Sequence, residues 1–185
     1  MAKAESKSDH TLPDAPRAKR MTRSMLGGYT LQVGNITYFK LADYIEDTEP
    51  EKTPQGKLIL LRACVEKTYG VNPRTMQKDT SIVENRPVVY VCTEEDIQRI
   101  WKASMNWKSW AFLRSAIDAL PEDAMPHYFH FSPGIAGTDI AMGNVYSVYG
   151  FSFSLKSHNV KESELLPLVP AIDEDMARAE ELSAS

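Results

Sequence analysis

The chain has 185 residues, of which 43% are hydrophobic and 25% charged, a composition typical of one globular domain with tails. Its two cysteines, Cys64 and Cys92, exclude a disulfide framework, and no apolar run approaches the ~20 residues that span a bilayer. The formal charge of -4 is uneven: residues 1–25 carry six cations and three acids, whereas residues 162–185 carry seven acids and one cation.

The N-terminal residues hold cations without a following apolar stretch, so they do not predict a secretory signal. Both cysteines lie within apolar runs, as buried reduced thiols do. These features predict a soluble protein of a reducing compartment. We expect an intracellular location (cytoplasm or nucleus), or a virion if the protein is viral, and no membrane partner.

Residues 1–26 are polar and lack periodicity, which predicts a disordered basic arm. Its cations cluster late, as Arg17, Lys19, Arg20 and Arg23. Such a cluster can contact phosphates, act as a nuclear-import signal or keep a tail solvated.

Order is expected to begin near Gly27 with a β-hairpin. Residues 29–33 and 36–41 alternate in hydropathy, and Gly34 and Asn35 between them suit a two-residue primed turn. An acidic stretch with two prolines follows, which predicts a surface loop up to Gly56.

The next segments predict a helix, a loop and a strand. Residues 57–69 present a broad apolar face, and Gly70 lies where a helix C-cap glycine would lie. Residues 71–86 are polar and are expected to form a loop. Residues 87–92 are nearly continuously apolar, as in a strand buried on both faces.

All three tryptophans fall within residues 93–121. Two helical phases meet at Asn106, so this stretch predicts helices over about 94–105 and 107–119. Trp101 and Trp110 are in phase with the apolar positions and are expected in the core. Trp107 belongs to neither phase and is expected at the surface.

The C-terminal third predicts a second hairpin and an acidic tail. Residues 138–142 and 145–155 flank Gly143 and Asn144, again a hairpin signal. Residues 158–185 lose periodicity and predict a mostly disordered tail, with a nascent helix near residues 174–182. The predicted fold is α+β: an antiparallel or mixed sheet with N- and C-terminal hairpins, covered by about three helices, in a single domain of residues 27–157.

The strongest functional signal is a turn that combines an exposed aromatic ring with cations. Trp107 lies next to Lys108 and close to Lys102 and Arg114, so it could stack on a nucleobase or anchor a neighbouring subunit. The second helix is largely apolar, which disfavours a DNA-reading helix-turn-helix.

No catalytic motif is present. His127 and His130 follow Glu122 and Asp123, but positions three apart on a strand face opposite sides, which disfavours a metal site. Serines lie outside nucleophile motifs, and phosphate-binding glycine loops are missing from the sequence. We therefore predict no cofactor, no metal and no catalytic residue.

The sequence favours a non-enzymatic, self-associating, nucleic-acid-associated structural protein of coat or nucleocapsid type. Its expected partners are itself, as a homo-oligomer, and single-stranded nucleic acid. The phosphate contacts are assigned to Arg17, Lys19, Arg20, Arg23, Lys102, Lys108 and Arg114, with Trp107 stacking or forming an interface. Two alternatives remain: a protein-binding structural subunit or adaptor without nucleic-acid contact, and a small enzyme whose site is built from His127, His130 and Asp139.

Overall fold

A computed structural model describes residues 36–72, 74–75 and 77–180. Its centre is a curled, mixed sheet of six strands in the order β1-β4-β3-β2-β5-β6. The strands are β1 (Thr37–Tyr38), β2 (Leu58–Val71), β3 (Lys78–Thr93), β4 (Trp101–Ser104), β5 (Phe129–Ala141) and β6 (Asn144–Ser157). The α-helices are α1 (Leu41–Glu46), α2 (Trp107–Asp118), α3 (Glu162–Leu165) and α4 (Val169–Glu180), and short 3-10 turns cover Pro50–Lys52, Pro126–Tyr128 and Leu166–Leu168.

The predicted α+β class and mixed sheet are confirmed. β1 pairs in parallel with β4, and the other described pairs are antiparallel. The first strand and turn of the predicted N-terminal hairpin lie outside the described residues, so that hairpin stays a prediction. The C-terminal hairpin is confirmed, but its turn residues are Met142 and Gly143, which both have positive φ as a type I′ turn requires.

The helix predicted over residues 57–69 is wrong, and so is the loop over 71–86. These residues form most of the β2–β3 hairpin, whose strands pair from Leu58 with Thr93 to Val71 with Lys78. Alternate β2 side chains enter two different cores, Leu60 on one face and Ile59 on the other. A strand buried on both faces loses its alternation of polar and apolar residues and resembles a helix in sequence. The predicted buried strand over residues 87–92 is confirmed as the inner part of β3.

Gly70 serves the hairpin instead of capping a helix. A Cβ atom at this position would lie 2.6 Å from the Glu84 carboxylate and 2.6 Å from the Ile82 side chain. Gly70 therefore permits a close approach of β3, next to an irregularity in the strand register at Tyr69.

The helix predicted over residues 94–105 is also wrong. The Thr93 hydroxyl accepts a hydrogen bond from the Asp96 amide as a cap would, but a single turn follows and the chain then enters β4. Ile100 packs in one core and Trp101 in the other, which is the two-residue period of a strand. The second predicted helix is confirmed as α2, with the Asn106 side chain capping its first turn through the Ser109 amide.

Helices cover both faces of the sheet. One core lies between the sheet, α1 and α2 and contains Trp101 and Trp110, which confirms the predicted burial of both rings. The other core lies under α3 and α4, where Leu165, Leu168, Val169 and Ile172 are almost completely buried. The prediction of a mostly disordered tail is therefore wrong for residues 162–180, because their apolar side chains cover the second face of the sheet.

Candidate functional site

A cluster of buried charges joins the C-terminal helix to the sheet. Lys102 of β4 is 2% exposed, and its Nζ lies 2.5 Å from Glu66 Oε1 and 2.6 Å from Asp175 Oδ2. The Tyr90 hydroxyl donates a 2.6 Å hydrogen bond to the same Asp175 oxygen. Beside this cluster, Arg62 Nη1 lies 2.7 Å from Asp173 Oδ1. Two acids of the predicted tail thus bind cations of their own chain.

The pKa values of the two carboxylates that bind Lys102 are shifted in opposite directions. Burial disfavours the charged form of Lys102, but the hydrogen bonds that its ammonium donates to Asp175 and Glu66 outweigh burial and raise the pKa of Lys102 above its ordinary value. Burial raises the pKa of Glu66 in spite of Lys102. At Asp175 the hydrogen bonds from Lys102 and Tyr90 outweigh burial and lower the pKa. Lys102 keeps its proton at neutral pH, so it joins β4 to Glu66 and Asp175 through ion pairs and does not act as a nucleophile or base.

A solvent-facing cleft of about 260 Å³ opens beside this cluster. We call it the Tyr38–Arg178 cleft. Its outer walls are Tyr38, Lys67, Tyr69, Lys78 and Arg178, and its inner wall includes Lys102, Glu66 and Asp175. Four cations and two carboxylates line it, and the Nζ atoms of Lys102 and Lys78 lie 5.2 Å and 5.9 Å from the ring centroids of Tyr38 and Tyr69. The cleft is therefore positive and bordered by aromatic rings.

Large apolar side chains face solvent in the outer half of the β5–β6 hairpin and along α2. They are Trp107 (53% exposed), Phe112 (48%), Ile140 (67%), Met142 (87%) and Val145 (68%). Ile140 and Val145 are direct cross-strand partners, so they share one face of the hairpin. We call this set the hairpin–helix surface.

Polar contacts hold the hairpin against α2. Lys108 forms an ion pair with Asp139, which precedes Ile140 in β5. The Asn106 amide donates a 2.7 Å hydrogen bond to the Ser147 carbonyl, and the Ser109 hydroxyl accepts a 2.8 Å bond from the Tyr149 amide. These two bonds use backbone groups on the outer edge of β6, so this part of the edge is covered by its own chain.

The structure separates the predicted nucleic-acid-binding residues. Trp107 is exposed as predicted, Lys108 is paired with Asp139, and Arg114 is half-buried. Lys102 lies enclosed between two carboxylates, which no local sequence pattern indicates because both partners are distant in the chain. The predicted arm cations lie outside the described residues: Arg17, Lys19, Arg20 and Arg23.

The histidines form contacts with acids and backbone. His130 Nε2 lies 2.9 Å from Glu94 Oε1, and the buried His127 lies 3.5 Å from Glu162. Asp139, the third member of the enzyme hypothesis, lies about 30 Å farther along the extended β5 strand. The alternative enzyme site is therefore not assembled from these three residues.

Apart from Trp107 and Lys102, the sequence missed the residues of both surfaces. Tyr38, Tyr69 and Arg178 come together only through strand pairing and helix docking, so no local pattern indicates their contact. For the hairpin–helix surface a signal was present, since apolar residues flank a turn whose surroundings are normally polar.

Comparison with protein families, curated proteins and solved structures finds no match for this chain.

Two further findings concern the described part of the chain. No helix there is long and apolar enough to cross a membrane. Within the same residues, no group of three or more His, Cys, Asp or Glu side chains is arranged to hold a metal ion.

Proposed function

We propose that this protein is a non-enzymatic, self-associating structural protein that associates with nucleic acid, of the coat or nucleocapsid type. The observation that carries the proposal is the hairpin–helix surface, in which five large apolar side chains face solvent. Ile140 and Val145 face the same side of the hairpin next to the Met142 turn, and exposed apolar patches of this kind mark interaction sites. Trp107 in α2 belongs to the residue types that dominate interface energies.

The occupant that fits this surface is a second copy of the chain. At its polar border, Lys108 and Asp139 pair with each other within one chain, so this border carries no net charge that would repel a second copy across a two-fold axis. Contact at this surface would cover Ile140, Met142 and Val145, which are largely exposed in the part of the chain that the structure describes.

The nucleic-acid part of the proposal is supported by the basic N-terminal residues, where four cations fall between positions 17 and 23. The non-enzymatic part is supported by the titratable groups of the folded unit. Burial raises the pKa of the Cys64 thiol to about 12, and Lys102 is held in its charged form. Neither group is a nucleophile at neutral pH.

The test is sedimentation of the full chain over a range of concentrations, with and without the double change Ile140→Thr and Val145→Thr. Threonine keeps the β-branched shape but removes apolar surface, so we expect the dissociation constant of the oligomer to rise about tenfold or more. The matched control is Val83→Thr, at an exposed valine of the other hairpin. A wild-type protein that stays monomeric at high concentration would overturn the self-association.

A further inference from the structure

The cation-and-aromatic site of the folded unit lies elsewhere than at the turn around Trp107. At that turn, Lys108 is already paired with Asp139 and Lys102 is enclosed. In the Tyr38–Arg178 cleft, by contrast, exposed cations lie around two tyrosine rings. The cleft therefore combines the features that the sequence had assigned to the turn.

The carboxylates of the cleft are already paired with cations of the same chain. Glu66 and one oxygen of Asp175 bind Lys102, and the other Asp175 oxygen lies 3.1 Å from Arg178 Nη2. Among the described side chains, neither Lys67 nor Lys78 has a carboxylate within ion-pair distance. The outward charge of the cleft is consequently positive and is available to an anion.

The aromatic walls add a second requirement on the ligand. Tyr38 is 63% exposed at the edge of the sheet, next to the charged Lys102. A planar group can stack on an exposed ring of this kind. If the ligand is a nucleic acid, such stacking depends little on its sequence, because every base has a π-face. A volume of about 260 Å³ is below the range of pockets that enclose a whole drug-sized ligand, so it suits one unit of a longer molecule.

We propose that the Tyr38–Arg178 cleft binds a nucleotide, with its phosphate at Lys67 and Lys78 and its base against Tyr38. This inference rests on the nucleic-acid part of the proposed function and assigns to it a site in the folded unit. The shared ligand chemistry is a phosphate attached to a planar base, and its source is either a single strand or a free mononucleotide.

The experiment measures binding of the full chain to three probes: an oligouridylate of about ten nucleotides, uridine monophosphate and inorganic phosphate. The variants are Tyr38→Leu, which keeps an apolar cover over Lys102, and Lys78→Ala. Both positions are exposed, and thermal melting checks that the variants fold. Lys52→Ala, at an exposed cation outside the cleft, is the matched control.

We expect Tyr38→Leu to weaken binding of the oligonucleotide about tenfold and Lys78→Ala to reduce the salt dependence of binding, with no change for Lys52→Ala. Cross-linking by ultraviolet light should attach the oligonucleotide to a peptide that contains Tyr38 or Tyr69. Tight binding of the mononucleotide alone supports the free ligand as source. Loss of binding in Trp107→Ala with unchanged binding in both cleft variants overturns the proposal, as does equal binding of inorganic phosphate unaffected by Tyr38→Leu.

The same titration with the Ile140→Thr and Val145→Thr variant separates the two proposals. Nucleotide binding that persists in this variant supports the cleft whether or not the wild-type protein assembles. Assembly of the wild-type protein without any nucleotide binding overturns the cleft and leaves self-association standing.

Discussion

Lys102 is the residue on which the docking of the C-terminal helix depends most. It is one of few charged side chains in the described chain that are almost fully buried, and both of its carboxylate partners are distant in sequence. A buried ion pair contributes little net stability compared with well-packed apolar residues, but removal of one partner leaves an uncompensated charge in the interior. Lys102 is therefore harder to replace than its neighbours in β4.

We expect Lys102→Met to lower the free energy of unfolding by about 3 to 5 kcal/mol, because Glu66 would lose its buried cation and Asp175 would keep only Arg178 at its outer oxygen. Urea denaturation measures the loss. The control is Lys52→Met, which removes an exposed pair with Glu49 and should change stability little. A variant that combines Lys102→Met with Glu66→Leu, Asp175→Leu and Tyr90→Phe should recover part of the lost stability. Equal effects of Lys102→Met and Lys52→Met would contradict a stabilising role for the buried ion pairs of Lys102.

His158 is expected to make the fold sensitive to mild acid. Its Nε2 lies 2.6 Å from the His127 carbonyl, and its Nδ1 accepts a hydrogen bond from the Val160 amide, so both nitrogens are used by the neutral ring. Burial lowers the pKa of His158, and the His127 carbonyl opposes this only in part. The unfolded chain therefore binds more protons than the folded chain as pH falls below about 6.5.

Stability from this residue is present at pH 7 and is lost as the pH falls from that value toward the folded pKa of His158. In urea denaturation, the free energy of unfolding should fall as the pH is lowered from about 7.5 to about 5, and it should fall less steeply in His158→Gln. His10→Gln, at a histidine outside the described residues, is the comparison. A slope unchanged by His158→Gln would show that other groups carry the acid sensitivity.

At the scale of elements, sequence periodicity succeeded where one face of an element meets solvent. The α2 helix has Leu113 and Ile117 buried and Lys108 and Phe112 exposed, and its bounds were predicted to within a residue or so. The C-terminal hairpin was found through its turn glycine. Both elements carry local signals, a cap at Asn106 and positive φ at Gly143, that do not depend on the rest of the fold.

The same reasoning failed for β2, β4 and the C-terminal helices, and the three failures have one cause. β2 and β4 are buried on both faces only because α4 covers the second face, and α4 was taken for a solvated acidic tail. Its acids Asp173 and Asp175 are neutralised by Arg62 and Lys102, which lie far away in sequence. Long-range charge pairing of this kind leaves no local pattern to detect. The candidate site was missed for the same reason, since the cleft exists only once α4 has docked.

At the scale of the whole molecule, acids that pair within the chain are no longer available to a binding partner, and this changes which partners we expect. The basic residues 1–26 and the acidic C-terminal residues carry opposite charge and could bind each other head to tail between copies. Since Asp173 and Asp175 are bound within their own chain, that head-to-tail pairing loses two of its acids. This favours the proposal that the basic residues 1–26 bind nucleic acid.

We expect deletion of residues 1–26 to weaken binding to single-stranded RNA and to flatten its dependence on salt. Each cation that neutralises a phosphate of a single strand contributes about 0.7 to the slope of log K against log salt, so loss of the cluster at Arg17, Lys19, Arg20 and Arg23 should reduce the slope by about 3. Filter binding between about 50 and 200 mM salt measures it. Deletion of residues 1–10 removes two other cations but keeps this cluster, so it should retain most of the slope. Equal slopes for the wild type and the longer deletion would assign RNA binding to the folded unit alone, where the Tyr38–Arg178 cleft would have to supply it.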